Sequence, residues 1–184
     1  EGVFTATSFA GSGANLTGIS AGVTYKSEGT DFTGSLIIGH STTGTLDAAT
    51  YNTAVGLTAL DAITSGDNNT AVGYEALTAN TTGAENTAIG KDSMDSNTTG
   101  SSNAALGVDS LQNNTTGCYN TAIARSSLSA NSTGSNNVAV GYYALLQNTT
   151  ASNNTAVGKE ALKENTTGAH NVSLGQEALL DNTT

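Results

Sequence analysis

A parallel β-solenoid, all-β and built from 17-residue coils, is the fold class this sequence predicts. Three observations predict it. Units opening on Asn start at 52, 69, 86, 103, 120, 137, 154 and 171, a spacing of 17 without insertion or deletion. A fixed period over many units marks an architecture in which each unit stacks only on its neighbours. Each unit carries a short β-favouring run, such as Asn69-Thr70-Ala71-Val72-Gly73, which makes one strand per coil. Asn recurs at two fixed places in the unit, and stacked amides support parallel coils by bonding one another and the turn backbone.

The elements follow in order. Residues 1–34 do not follow the period and hold all three Phe, at 4, 9 and 32. Short strand-like runs alternate there with Gly/Ser turns, so a terminal cap, subunit clasp or shaft-like segment is expected. Residues 35–51 read as a degenerate first coil, with Gly39 lying 17 residues before Gly56. Eight regular coils occupy 52–184, the last stopping after fourteen residues. That stop reads as a truncated array or a stack continued by something else.

Within a coil, position 1 is always Asn: Asn52, Asn69, Asn86, Asn103, Asn120, Asn137, Asn154 and Asn171. These are the expected ladder, with a second at position 12, where Ile63 is the exception. Position 3 is Ala except Ser173, position 5 is Gly except Ala124, and position 9 is Leu except Met94. Position 4 is aliphatic throughout: Val55, Val72, Ile89, Leu106, Ile123, Val140, Val157 and Leu174. Strand geometry points positions 2 and 4 one way and position 3 the other. Neither face carries a charge in any of the eight copies. A strand wetted on one side alternates with charged residues, so burial on both faces is expected. One coil has one interior, so the second face needs another copy of the chain, and position 4 is assigned to strand core or interface. Positions 6–11 include helix formers, as in Lys159–Glu164. A single helical turn and a second short strand both fit them. Gly at positions 5 and 15 closes turns. Seventeen extended residues span at most ~58 Å, enough for a slim coil around one layer of side chains.

Composition excludes several classes. Fifteen Asp+Glu against five Lys+Arg give a net charge of −10, which opposes nucleic acid and anionic membranes. No apolar run reaches the ~18 residues of a spanning helix, so no membrane insertion is expected. Cys118 is the sole cysteine, so no intrachain disulfide forms, and it reads as a small residue of the repeat.

Catalytic and metal chemistry find little support. Acidic residues at position 7 (Glu75, Asp92 and Asp109, then Glu160 and Glu177) form two vertical stripes. Such stripes can bind Ca²⁺ or do acid–base work, but beside Lys91, Lys159 and Lys163 they read as a solvated face. His40 and His170 have no Cys or Asp at metal spacing, so no zinc site is expected. The glycines follow the repeat and not a phosphate loop. Tyr51, Tyr74, Tyr119, Tyr142 and Tyr143 scatter over positions 6, 7 and 17 and do not build a sugar platform. No catalytic residue, cofactor or metal is therefore assigned. Position-12 Asn residues such as Asn80 and Asn165 also fall in Asn-x-Thr sequons, but a glycan on every coil would crowd at the ~4.8 Å stacking distance. The ladder is the preferred reading. A hydroxyl lattice for ice binding is a weaker alternative, since Ala104, Val138 and Val172 interrupt Thr at position 2.

The unit Asn-Thr-Ala-Val/Ile-Gly-x-x-Ala-Leu resembles the head repeats of trimeric autotransporter adhesins, the YadA-like family. It is also similar to arrays in phage tail fibres and related bacterial surface fibres. The resemblance covers 35–184, and more weakly the Gly/Ser-rich run 5–19. It implies a left-handed β-roll, three parallel chains side by side, and a non-enzymatic structural or adhesive fibre segment. The implied location is extracellular, on a virion tail fibre or a bacterial surface. The implied partners are two further copies of the chain and a host-surface receptor or glycan. The period of 17 departs from the shorter adhesin-head unit. A fragment of a polysaccharide-degrading tailspike is the alternative, separable by assay for released reducing ends.

Overall fold

A computed structural model describes the backbone of Leu36–Ile38 and residues 49–184. The expected cap at 1–34, His40 and most of the degenerate coil lie outside the described residues. Among the described residues, nine strands of three residues each form one parallel sheet in chain order: β1 (Leu36–Ile38), β2 (Thr53–Val55), β3 (Thr70–Val72), β4 (Thr87–Ile89), β5 (Ala104–Leu106), β6 (Thr121–Ile123), β7 (Val138–Val140), β8 (Thr155–Val157) and β9 (Val172–Leu174). Each residue pairs with the one 17 further on, from Leu36↔Thr53 through Val157↔Leu174. The chain is a parallel β-solenoid, and the period sets the register because an unbroken 17-residue repeat places every position over its own copy.

Positions 6–11 are neither helix nor strand. Two tight turns carry them, closed by bonds such as Ala76 N–H to Gly73 O (3.5 Å) and Asn80 N–H to Leu77 O (3.1 Å). Positions 7 and 9 are left-handed in every coil, as at Glu75 (φ 57°) and Leu77 (φ 53°). Position 17 is left-handed too, as at Asn68 and Asn136 (both φ 58°). A left-handed residue cannot continue an α-helix, so the helix formers here do not make one. The alternation turns successive N–H groups up and down the stack. Glu75 donates to Leu57 O in the coil before, and Leu77 donates to Ser93 O in the coil after, both at 3.1 Å. Backbone polar groups in the turns are thereby satisfied much as a sheet would satisfy them.

A Leu held left-handed costs about 1–2 kcal/mol. Burying its side chain returns ~1.5–3 kcal/mol, and Leu60, Leu77, Leu111, Leu128, Leu145 and Leu162 are all fully buried. Burial outweighs the strain. The interior holds this row, Ala at position 3, Ala or Ser at position 8, and the Asn residues of positions 1 and 12. It is one side chain thick.

The two glycine positions serve different needs. Gly73 sits at φ 139°, and a Cβ there would meet Gly90 O at 2.4 Å. Gly100 has no such φ. Its need is clearance, since a Cβ would lie 2.4 Å from Gly117 O and 2.5 Å from Asn97 Oδ1.

Candidate functional site

The interior is occupied by two amide ladders. At position 1, from Asn69 onward, each Asn backbone N–H donates to the Asn Oδ1 one coil before, as Asn86 to Asn69 (3.0 Å) and Asn120 to Asn103 (2.9 Å). Its own Nδ2 donates to the position-15 carbonyl of the same coil, as Asn86 to Gly100 O (2.8 Å). At position 12, Nδ2 donates to the preceding Oδ1, as Asn114 to Asn97 (2.7 Å) and Asn131 to Asn114 (2.8 Å). The expected residues at positions 1 and 12 are thus placed in continuous buried chains of hydrogen bonds. Ile63, fully buried, stands at the head of the second chain among the described residues. The sequon Asn residues Asn80, Asn97, Asn114, Asn131, Asn148 and Asn165 have no exposed surface, so these six are closed to a glycan in the folded coil, whereas Asn182 is only partly buried.

Smaller ladders flank these. At position 16, a side chain accepts from the backbone N–H one coil before, as Ser135 Oγ does from Cys118 N–H (3.0 Å). Cys118 takes part as a serine would, its Sγ accepting from Ser101 N–H at 3.3 Å.

The position-4 row faces outward. Position 3 points in, fully buried at Ala54, Ala71, Ala88, Ala105, Ala122, Ala139 and Ala156. In the single chain Val55, Ile89, Leu106 and Ile123 are 38–41% exposed. Leu57, Tyr74, Val108 and Tyr142 of position 6 extend the same face and are also exposed. The result is an apolar stripe along the stack, edged by Thr at position 2 and broken at position 6 by Lys91, Arg125, Lys159 and Gln176.

The acidic stripes lie at the next corner. Lys159 Nζ approaches Glu160 (3.0 Å) and Glu177 (3.7 Å), and Arg125 approaches Asp109 (3.9 Å). Exposed pairs of this kind contribute only ~0–1 kcal/mol each. The upper stripe is different. One carboxylate oxygen from each of Glu75, Asp92 and Asp95 lies within 4.8 Å of the others. Asp92 is 9% exposed. Its Oδ2 pairs with Lys91 Nζ, whereas its Oδ1 is buried and meets no hydrogen-bond partner. Asp95 accepts from Ser96 Oγ (2.9 Å) and Gln112 Nε2 (3.3 Å). Burial raises its pKa above the usual carboxylate range, against those two donors, with the nearby Asp92 charge adding to the rise. Asp95 did not stand out in the sequence because it falls at position 10, away from the position-7 stripe. The turn between positions 9 and 12 brings it to the same corner.

The tyrosines remain dispersed. Tyr51 and Tyr119 are exposed at position 17, and Tyr142 stacks on its neighbour Tyr143 at 3.8 Å between ring centroids. His170 is exposed. Among the described residues no helix is long and apolar enough to cross a membrane. No family model matches the chain, and comparison with curated proteins and with solved structures finds no match.

Proposed function

We propose that this chain is a non-enzymatic segment of a fibre, a rigid rod whose outward strand face packs against further copies of itself. The observation that carries the reading is the apolar stripe of Val55, Ile89, Leu106 and Ile123, flanked by Leu57, Tyr74 and Val108. A chain with net charge −10 has ample charge to wet a surface, yet none stands at positions 2 or 4 of any coil. Large contiguous apolar patches on soluble chains mark interaction sites. Because the stripe repeats in register with the stack, a partner with the same repeat matches it along its whole length. Three parallel copies, and a role in attachment to a host or another surface, come from the resemblance to YadA-like heads and phage tail fibres. The ladders suit that role, since each coil is bonded to its neighbours by backbone and side chains alike.

Light scattering on the purified chain tests the reading. The expected mass is about three times the 18.3 kDa of one chain. Ile89→Glu combined with Ile123→Glu, outward substitutions that leave the interior untouched, should give a folded monomer by circular dichroism. A wild-type chain that is monomeric at micromolar concentration rules the reading out.

A further inference from the structure

We propose that Glu75, Asp92 and Asp95 form a divalent-cation site, with Ca²⁺ the ion of best fit. The three carboxylates come from two adjacent coils, and one oxygen of each falls within 4.8 Å of the others. Proximity of acids alone would not point to an ion. The second observation is Asp92 Oδ1, an oxygen shut off from solvent with no hydrogen-bond partner, on a residue only 9% exposed. Buried polar atoms are satisfied as a rule, and Asp92 Oδ1 is not, on a carboxylate that lies beside those of Glu75 and Asp95. Lys91 neutralises one charge of the three, but it does so at Asp92 Oδ2, which leaves Oδ1 to the ion.

The repeat supplies an internal contrast. Glu160 and Glu177 also stack at position 7, but there position 10 is Lys163, whose Nζ lies 3.9 Å from Glu160. A lysine fills the place Asp95 takes in the upper stripe. Asp61 is also an acid at position 10, but Thr58 stands at position 7 of its coil, so in the regular array only Asp92 and Asp95 put acids at both positions of one coil. Carboxylate oxygens in flexible, partly solvated geometry suit Ca²⁺, which takes 6–8 oxygen ligands. Glu75 and Asp95 are both only partly buried, so water completes the shell. Mg²⁺ demands tighter octahedral geometry and holds its waters, and it should bind more weakly. A bound ion would tie the coil starting at Asn69 to the coil starting at Asn86.

Tb³⁺ is the probe, because Tyr74 immediately precedes Glu75 in the chain and should sensitise the luminescence of a lanthanide bound there. Titration of the intact chain should saturate at one Tb³⁺ per chain with tyrosine excitation, and Ca²⁺ should displace it with at least tenfold preference over Mg²⁺. Asp95→Asn and Asp92→Asn should each lower Tb³⁺ affinity at least tenfold. Asp109→Asn, at position 7 of the next coil but outside the cluster, should bind as wild type. Ca²⁺ should also raise the melting temperature of the wild type by about 2–4 °C and leave Asp95→Asn unmoved. If Asp92→Asn does not fold, the partly exposed Asp95→Asn decides. Absence of sensitised emission, or an Asp95→Asn chain that binds Tb³⁺ as tightly as wild type, overturns the site.

Discussion

Asn103 and Asn114 donate to one and the same carbonyl, that of Gly117, at 2.9 and 3.0 Å. They sit at positions 1 and 12 of a single coil, on opposite sides of its turn, and the shared acceptor clamps the coil shut from both. Each also hands its Oδ1 to the coil that follows, Asn103 to Asn120 N–H (2.9 Å) and Asn114 to Asn131 Nδ2 (2.8 Å). Closing a coil and joining it to the next are therefore tasks of the same side chains. This explains why position 1 admits nothing but Asn: Asp has no donor for the carbonyl, and Ser is too short to do both.

Asn114→Ala should be among the most destabilising single changes. It removes two donated bonds and one accepted bond, and it strands Asn97 Oδ1 in the interior, while Asn131 Nδ2 keeps only its bond to Gly134 O. Leaving a buried group unmet costs roughly 1–3 kcal/mol, so a loss of about 2–4 kcal/mol is expected. Asn113→Ala, next door but exposed and bonded only to Ser129 O (2.9 Å), should cost under about 1 kcal/mol. Chemical denaturation of both variants checks the contrast. Hydrogen exchange should place the loss in the coils adjoining Asn114, since stability in a stack is a sum of nearest-neighbour terms.

Ala124→Gly should stabilise the chain. Ala124 is the one non-glycine residue at position 5, and its φ of 99° falls short of the 123–145° of its glycine counterparts. The Cβ holds the backbone away from the conformation the stack prefers. Relief of such strain is worth ~1–3 kcal/mol, and the added freedom of the unfolded chain takes back about 0.4–1 kcal/mol. A net gain of around 1 kcal/mol is expected, read as a rise in denaturation midpoint. Gly107→Val, where a Cβ would stand 2.6 Å from the Ala124 carbonyl, should move the midpoint sharply the other way.

Cys118→Ser should leave stability unchanged or slightly higher. The Sγ accepts from Ser101 N–H at 3.3 Å, in the place where Ser135 and Ser152 oxygens accept at 3.0 Å. Oxygen is the better acceptor, and serine already fills this position in neighbouring coils. A fall in melting temperature of more than a few degrees would show that the sulfur packs in a way the ladder does not describe.

The sequence by itself determined the solenoid, its register and its ladders. An uninterrupted period of 17 leaves parallel stacking one choice of register, and an Asn recurring at the same place in each coil must lie over its own copies. The short strand was legible for the same reason, as β-favouring residues bounded by Gly. What only the tertiary structure decided begins with direction. Alternation shows that positions 3 and 4 point oppositely, but both are uncharged, so nothing local says that Ala71 goes in and Val72 out. The width of the coil decides that, because a one-layer interior already filled by Leu77 and the amides has room opposite the strand for a methyl group and no more. The backbone of positions 6–11 was hidden too. Leu77 and Glu75 carry no preference for φ > 0, and they take it because burial of the leucine outweighs the local strain. The meeting of Asp95 with Asp92 and Glu75 follows from that turn, which brings position 10 of one coil beside position 7 of the same coil and of its neighbour.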